Sequence, residues 1–417
     1  MTTPAERVGA ETNTGLPPER VTPLRPYEFI SVHRLCAPVD SPAALDFTGN
    51  RVYTALKGQT IVHRPPLHAF DDDDLTAPGQ VSAEPIDLRA HSVRSEDTFL
   101  ATLRGAVIEK FASRPQPSNT FTVFVDEGVA LAEAFHNRTC SDNIATLLGE
   151  TLSAGDGGGR VKVHEPGEPG RVVEEPCVLM ASRFVHHNYY HWTFEGLTRL
   201  WALSALPGGD RLPLVFPSTQ LRPFHTDTLR AMGLRNPIYP LNHRLTRFER
   251  LYVPSFLDGA TVTPRQVAWL RDTLFRTFPQ ARQGGPRRIY VSRRDANARR
   301  VLNEDAVLAV LQRHGFELVV PGALSVAEQI RAFAGAEVVV APHGAGNSNI
   351  AFCPPGAVFL ELLPASNACA LYWMLANVAE LRYGRMVCPE DRPGLSMIVD
   401  TARLESLLSA ALAGAEA

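Results

Sequence analysis

The chain has 417 residues, more than one hydrophobic core usually serves, so two domains are expected, each folding around its own interior. With 45% apolar residues, 20% charged residues and a formal net charge of -3, the composition is that of an ordinary globular protein and gives no electrostatic reason to expect nucleic acid as a partner. The six cysteines, Cys36, Cys140, Cys177, Cys353, Cys369 and Cys388, stand far apart, without the close pairs that structural zinc or thioredoxin-like chemistry needs, so reduced and mostly buried thiols are expected.

The opening stretch MTTPAERVGAETNTGLPPERVTPLRP is rich in Pro, Thr and charge, can bury little, and reads as a disordered lead-in over residues 1–25. It holds no apolar h-region, and no apolar run of about 18 residues follows. A cytoplasmic protein without a transmembrane segment is expected, its thiols suited to a reducing compartment; peripheral membrane association is compatible with this. From roughly residue 30 to 175, β-like runs such as TFTVFVDEGVAL alternate with turn-rich stretches such as HAFDDDDLTAPGQ and LSAGDGGGRVKVHEPGEPG. The carboxylates Asp71 to Asp74 read as a solvated loop, since they lack the spacing of an EF-hand. The sequon at Asn137 reads as a chance match.

From Cys177 the pattern becomes strand CVLMAS, a long helix over 187–205, buried strand RLPLVFPS and helical FHTDTLRAMGL, an α/β alternation. The proline-punctuated stretch NHRLTRFERLYVPSFLDGATVTP and the helix RQVAWLRDTLFRTF lead to PQARQGGPRR, a polar Gly/Pro segment of the kind that separates domains. This places a boundary near 280, between an N-terminal domain over 26–280 and a C-terminal one over 281–417.

The last third reads most clearly. RRIYVSRR is a strand, and NEDAVLAVLQRHG a helix with Asn303 at its N-cap. FELVVP is the next strand, and SVAEQIRAFAGA opens with Ser325 and Glu328 at capping-box spacing. EVVVAP, the short helix GAGNSNIAFC and AVFLELLP follow. Strands this apolar must be buried on both faces, which means a parallel sheet with right-handed crossovers, a Rossmann-like domain.

In such a sheet a ligand binds beyond the carboxyl ends of the strands, where helix N-termini present N–H groups and positive dipole ends. After the first strand stand Ser292, Arg293 and Arg294; after the third stands PHGAGNSN; within the fourth sits Glu361. Gly344 and Gly346 permit a tight turn and close backbone approach, and His343 can donate a hydrogen bond. Glycines in such a turn also serve shape alone, but the basic strand end beside them favours phosphate. Arg293 can reach over the sheet edge with a planar fork suited to phosphate; the competing account is a surface ion pair. Glu361, among Phe359, Leu360, Leu362 and Leu363, is too costly to bury unpaired; a sugar hydroxyl and a structural arginine are equal candidates for its partner. No GxGxxG and no GxxxxGK[ST] occurs after these strands, which argues against a nicotinamide oxidoreductase and a P-loop kinase.

The run HHNYYHWTFEGL spans residues 186–197. At 3.6 residues per turn Tyr190, Phe194, Leu197 and Trp201 form a core-facing stripe. His187, His191 and Glu195 recur every fourth residue on an adjoining stripe, within about 80° of arc. A histidine held by a carboxylate one turn away can act as a general base near neutral pH. Core histidines satisfied by carbonyls are the competing account, and a zinc-binding hydrolase site a further alternative.

HHNYYHWTFEGLTRL, RRIYVSRR and VVVAPHGAGNSNIAF with VFLELLP together resemble a family of glycosyltransferases. It includes bacterial capsular polysaccharide biosynthesis proteins, plant xylan xylosyl- and arabinosyltransferases and animal O-linked N-acetylglucosaminyltransferases. The resemblance covers about residues 177–365. It implies a GT-B-like α/β fold: two Rossmann-like domains with parallel sheets facing a cleft, here with a β-rich N-terminal portion. It also implies inversion at the anomeric carbon, a nucleotide-sugar donor (a UDP-sugar being expected), a glycan or other hydroxyl acceptor, no cofactor and no fixed metal. Carried over by position, Arg293, Arg294, His343, Gly344, Ala345, Gly346, Asn347 and Glu361 fall on the donor side. His191, Glu195 and His187 fall at the catalytic position, and Asn188 and Trp192 on the acceptor side of the cleft. Many bacterial relatives have aspartate where Glu195 stands, and the usual HGAGLTN reads HGAGNSN here. The resemblance implies a role in bacterial surface polysaccharide synthesis; a non-catalytic nucleotide-sugar-binding or glycan-binding protein is the alternative.

Overall fold

The computed structural model describes residues 24–67, 76–78, 85–112, 119–126, 129–131, 160–164, 168–181, 185–217, 221–258, 262–391 and 394–413. The expected lead-in lies outside them as far as residue 23, as do Asp71 to Asp74, Asn137 and Cys140 altogether.

Among the described residues the first half builds one mixed sheet of twelve strands. Its longest member, β1 (Thr98–Ala112), runs antiparallel to the strand Asn119–Asp126 on one side. Further along the sheet come β2 (Cys177–Leu179), β3 (Leu214–Phe216), β4 (Ile238–Pro240) and β5 (Leu245–Pro254). These four lie parallel in the order β5-β2-β3-β4, and β5 closes antiparallel onto β1. The β-rich front is as expected, but the expectation of a purely parallel sheet in the N-terminal domain is corrected. The error lay in NHRLTRFERLYVPSF, read as proline-punctuated connection: Pro254 only ends β5, where the missing N–H costs no ladder bond in the strand interior.

The second half builds a five-stranded, wholly parallel sheet from β6 (Arg288–Val291), β7 (Glu317–Val319), β8 (Val338–Pro342), β9 (Val358–Pro364) and β10 (Arg382–Cys388). Its order is β7-β6-β8-β9-β10. The expected Rossmann-like sheet is present, with β10 as a strand that sequence reading did not find. Every residue of β8 and β9 is buried. The capping box at Ser325 and Glu328 forms as expected, each residue bonding the other's backbone N–H. Asn303 does not cap its helix; its amide instead exchanges two hydrogen bonds with the backbone of Val399, at 2.8 and 2.9 Å.

Alternation along the strands assigns the core. Val178, Leu214 and Phe216 of the first sheet and Ile289, Val339, Ala341 and Phe359 of the second point into one shared apolar layer. Their neighbours Cys177, Val215, Tyr290 and Val340 point to separate outer layers. The shared layer is filled by Trp192, Phe194 and Leu197, by Val267, Leu270 and Leu274 of α1 (Pro264–Thr277), and by Ile330 and Phe333 of α2 (Val326–Ala334). The Gly/Pro segment near 280 is likewise packed rather than loose: Ala281 is buried and Arg331 donates to the carbonyl of Gly284 at 3.0 Å. Among the described residues no helix is long and apolar enough to cross a membrane.

Arg271 on α1 joins the halves by donating to the carbonyls of Ala351, Cys353 and Ala379 at 2.6, 2.9 and 3.2 Å. Arg271→Ala leaves these oxygens without that donor and is expected to cost about 3 kcal/mol, read as a lower denaturant midpoint.

Candidate functional site

In the 2-1-3-4-5 order of the second sheet, the crossovers from β6 and β8 depart in opposite directions, so the crevice for a ligand opens between their carboxyl ends. Arg293 follows β6 and Gly344 follows β8, and the two meet there. A Cβ on Gly344 would overlap the Arg293 guanidinium. The backbone of Gly344 is extended, with φ 174°, so space and not backbone torsion demands glycine. Arg293 donates Nε and Nη2 to the carbonyl of Ala298, at 3.1 and 3.0 Å, which aims its fork. Burial and the neighbouring Arg299 lower its pKa to about 10, leaving it a cation at neutral pH.

His343 ends the β8 turn, buried, with Nδ1 at 2.6 Å from Glu361 Oε1. The Tyr383 hydroxyl on β10 donates to Glu361 Oε2 at 2.7 Å. Burial works against a charged imidazole, yet the Glu361 carboxylate and the sulfur of Cys369, 3.7 Å from Nε2, raise the His343 pKa to about 9. Glu361 is 0% exposed. Its partners are therefore His343 and Tyr383, neither of the two expected, and it is corrected from a donor contact to the group that charges His343.

Two further donor-side residues are corrected. Arg294 pairs with Glu304 at 2.9 Å on the surface, the ion pair that had been the competing account for Arg293. Asn347 is buried, its side chain turned back to the carbonyl of Pro342 at 3.1 Å and its N–H bonded to Gly344. Ala345 and Gly346, half-buried, open the short helix Ala345–Phe352.

The segment bearing His191 is helical but not one α-helix. It makes a single α-turn over Tyr189–His191, widens to π over Trp192–Gly196, then tightens to 3-10 over Leu197–Ala205. Single π-turns inside helices recur at functional sites. Gly196 permits this one: a Cβ there would strike the Trp192 ring. Asn188 is the N-cap, accepting from Tyr190 N and His191 N at 2.9 and 3.4 Å.

Tyr190, Phe194 and Leu197 face the core as expected, but Glu195, Thr198 and Arg199 are buried as well, so the segment is enclosed on all sides instead of amphipathic. His191 Nδ1 contacts Glu195 Oε1 directly, and Glu195 is 3% exposed. Arg199, one turn further, lies near enough for Glu195 to act on its charge. Trp192 is 0% exposed and donates Nε1 to Thr228 Oγ1 at 3.1 Å; it is a core residue and is corrected from the acceptor side. His187 stands in the turn ahead of the helix, against His186 at 2.9 Å. His187 still lies close enough to His191 for the two charges to interact, but among the described residues no three His, Cys, Asp or Glu side chains form a metal-binding group.

The two parts touch. Tyr189 donates its hydroxyl to Asn349 Oδ1 at 2.9 Å, and Asn349 donates to Gln329 Oε1 at 3.0 Å. The ring of Tyr190 packs edge-on against both His191 and Tyr372, at centroid distances of 5.3 and 6.1 Å. The Tyr372 ring lies 5.1 Å from that of His343. Sequence reading missed Tyr372, Tyr383, Cys369, Arg199 and Asn349; the two tyrosines stand in the runs LYWMLANV and LRYGRMV, whose only signal is a polar atom in apolar company.

Gly344→Ala is expected to fold, because the atoms it displaces are the flexible end of Arg293, yet to weaken anion binding by at least tenfold, about 1.4 kcal/mol, by calorimetry. For His343 the folded pKa of about 9 lies above the ordinary 6.5. Its contribution to stability is fully present below pH 6.5 and lost as pH rises through about 9. Glu361→Gln should move that loss to lower pH, measured as unfolding free energy against pH.

No curated protein matches the chain significantly. Residues 189–360, the segment that holds His191, Glu195, Arg293 and His343, match the family model Glycosyltransferase 61, and this match supports glycosyltransferase activity, with a sugar donor and an acceptor as substrates.

Proposed function

We propose that the chain is an inverting, metal-independent glycosyltransferase that moves a sugar from a nucleotide-diphosphate sugar, a UDP-sugar by expectation, to a glycan or other hydroxyl acceptor. The observation that carries this reading is the meeting of two cations, Arg293 and the charged His343, at the crevice of the second sheet, joined through Tyr372 and Tyr190 to the His191–Glu195 pair. Chemistry of this kind needs positive charge where the diphosphate departs and a base where the acceptor arrives.

Glu195 is buried and occupies His191 Nδ1, so it orients the ring and stabilises the imidazolium. Proton transfer from the acceptor hydroxyl then falls to His191 Nε2. The deprotonated oxygen attacks the anomeric carbon from the face opposite the diphosphate. Negative charge grows on the leaving group as the glycosidic bond breaks. It is met by Arg293, by His343, whose long contact with the Cys369 sulfur a phosphate oxygen can displace, and by the N–H groups of Ala345 and Gly346. These cations are fixed before reaction, which is why no metal is invoked. The family resemblance supports the wider placement in surface polysaccharide synthesis on the cytoplasmic side of the membrane.

Nucleoside diphosphates should raise the melting temperature, since a ligand at a hundred times its Kd adds about 2.7 kcal/mol to the folded state. Arg293→Ala should lower kcat by on the order of a hundredfold, and His191→Ala by a hundredfold or more. Unchanged turnover in Arg293→Ala would overturn the assignment. Binding of UDP without any transfer or slow donor hydrolysis would leave a binding protein in its place.

A further inference from the structure

Five cysteines fall among the described residues. Cys36, Cys177, Cys353 and Cys388 are buried, and burial pushes the thiols of Cys177 and Cys388 up to about 12. Cys369 is different: it is partly exposed, just ahead of the helix α3 (Leu371–Val378). Its Sγ lies 3.7 Å from His343 Nε2. His343 Nδ1 is held by Glu361 at 2.6 Å, and Glu361 by the Tyr383 hydroxyl at 2.7 Å. A nucleophile, a base, a carboxylate that orients the base and a hydroxyl that anchors the carboxylate therefore stand in line. That is the arrangement of an activated nucleophile, a thiol set beside an oriented imidazole. The transfer mechanism makes no use of this thiol.

We propose that Cys369 is a nucleophilic thiol that exchanges with low-molecular-weight disulfides, and that the mixed disulfide closes the diphosphate site beside it. The first half stands on the four-residue geometry alone; the second rests on the donor site of the proposed function. In the exchange the thiol gives up its proton to solvent, and the thiolate so formed lies beside the His343 imidazolium, whose Nδ1–H faces Glu361. The thiolate attacks one sulfur of R–S–S–R. That bond breaks, the Cys369–S–S–R bond forms, and the departing R–S⁻ takes up a proton from solvent and leaves as R–SH. Cys369 is oxidised by the half of the disulfide that is reduced, and excess thiol reverses the step. The attached group lies against His343, whose ring must face the diphosphate, so the modified chain cannot hold its donor. Because the other described cysteines are buried, exchange among the described residues is confined to this position.

The test uses the full chain carrying Cys140→Ser, since Cys140 lies outside the described residues. Incubation with oxidised glutathione at neutral pH should give a single adduct by intact mass, mapped to Cys369 and removed by dithiothreitol. Glu361→Gln should slow its formation by on the order of tenfold, and Tyr383→Phe, which removes only a hydroxyl, should slow it severalfold, so the relay is tested even if the first variant folds poorly. An adduct elsewhere first, or undiminished rates in both variants, would overturn the nucleophile. The thermal shift given by UDP should vanish in the adduct and return with dithiothreitol. If the adduct responds to UDP as the untreated chain does, the closure is wrong while the donor reading survives. If the untreated chain shows no shift, the donor reading and the closure fall together, and the labelling still decides the fate of the thiol.

Discussion

A carboxylate in the middle of a buried strand has to find positive charge or hydrogen-bond donors, because leaving it unpaired costs several kcal/mol, and Glu361 sets that demand at the centre of this molecule. Strand register answers it. Pairing of β9 with β8 sets Ala341 beside Glu361 and brings the N–H of His343 to the carbonyl of Leu362 at 2.9 Å. Pairing of β9 with β10 brings Tyr383 to the other carboxylate oxygen. The outcome is an imidazole that stays charged in a dry place, at the one point of the sheet where helix N-termini and strand ends open toward a ligand.

That charge would be of little use without the second cation. Arg293 reaches the same point only because Gly344 lacks a side chain, so the glycine of the turn serves the arginine of the neighbouring strand. Each cation has its own acceptor: Glu361 for His343, the Ala298 carbonyl for Arg293. A preorganised anion site of this sort spends folding stability to avoid reorganisation during reaction.

The helical segment over 189–205 connects this site to the rest of the fold. Its core side belongs to the apolar layer that both sheets share, so the His191–Glu195 pair is fixed to the same packed body as the strands that carry Arg293 and His343 at their ends. Its buried Glu195 lies between His191 and Arg199, which repeats the logic of Glu361: a buried carboxylate that holds an imidazole and has a second partner of its own.

The sequence by itself determined four of the five strands of the second sheet and the helices between them, since runs such as VVVAP and VFLELLP are apolar on both faces and are separated by clear turns. It also singled out His191, Glu195, Arg293, His343 and Gly344, which the structure sets at or beside the crevice of the second sheet. It misplaced Trp192, Asn347, Arg294 and Glu361, whose motif positions say nothing of exposure: all but Arg294 are buried, and Arg294 is spent on Glu304. Whether a polar residue meets a ligand or a neighbour depends on contacts between strands distant in the chain. Only the tertiary structure decided that Glu361 faces His343 and Tyr383, that Tyr190 and Tyr372 bridge the two imidazoles, and that Cys369 stands over one of them. Local patterns fix local geometry, whereas pairing across elements is settled by packing, where register and burial choose each partner.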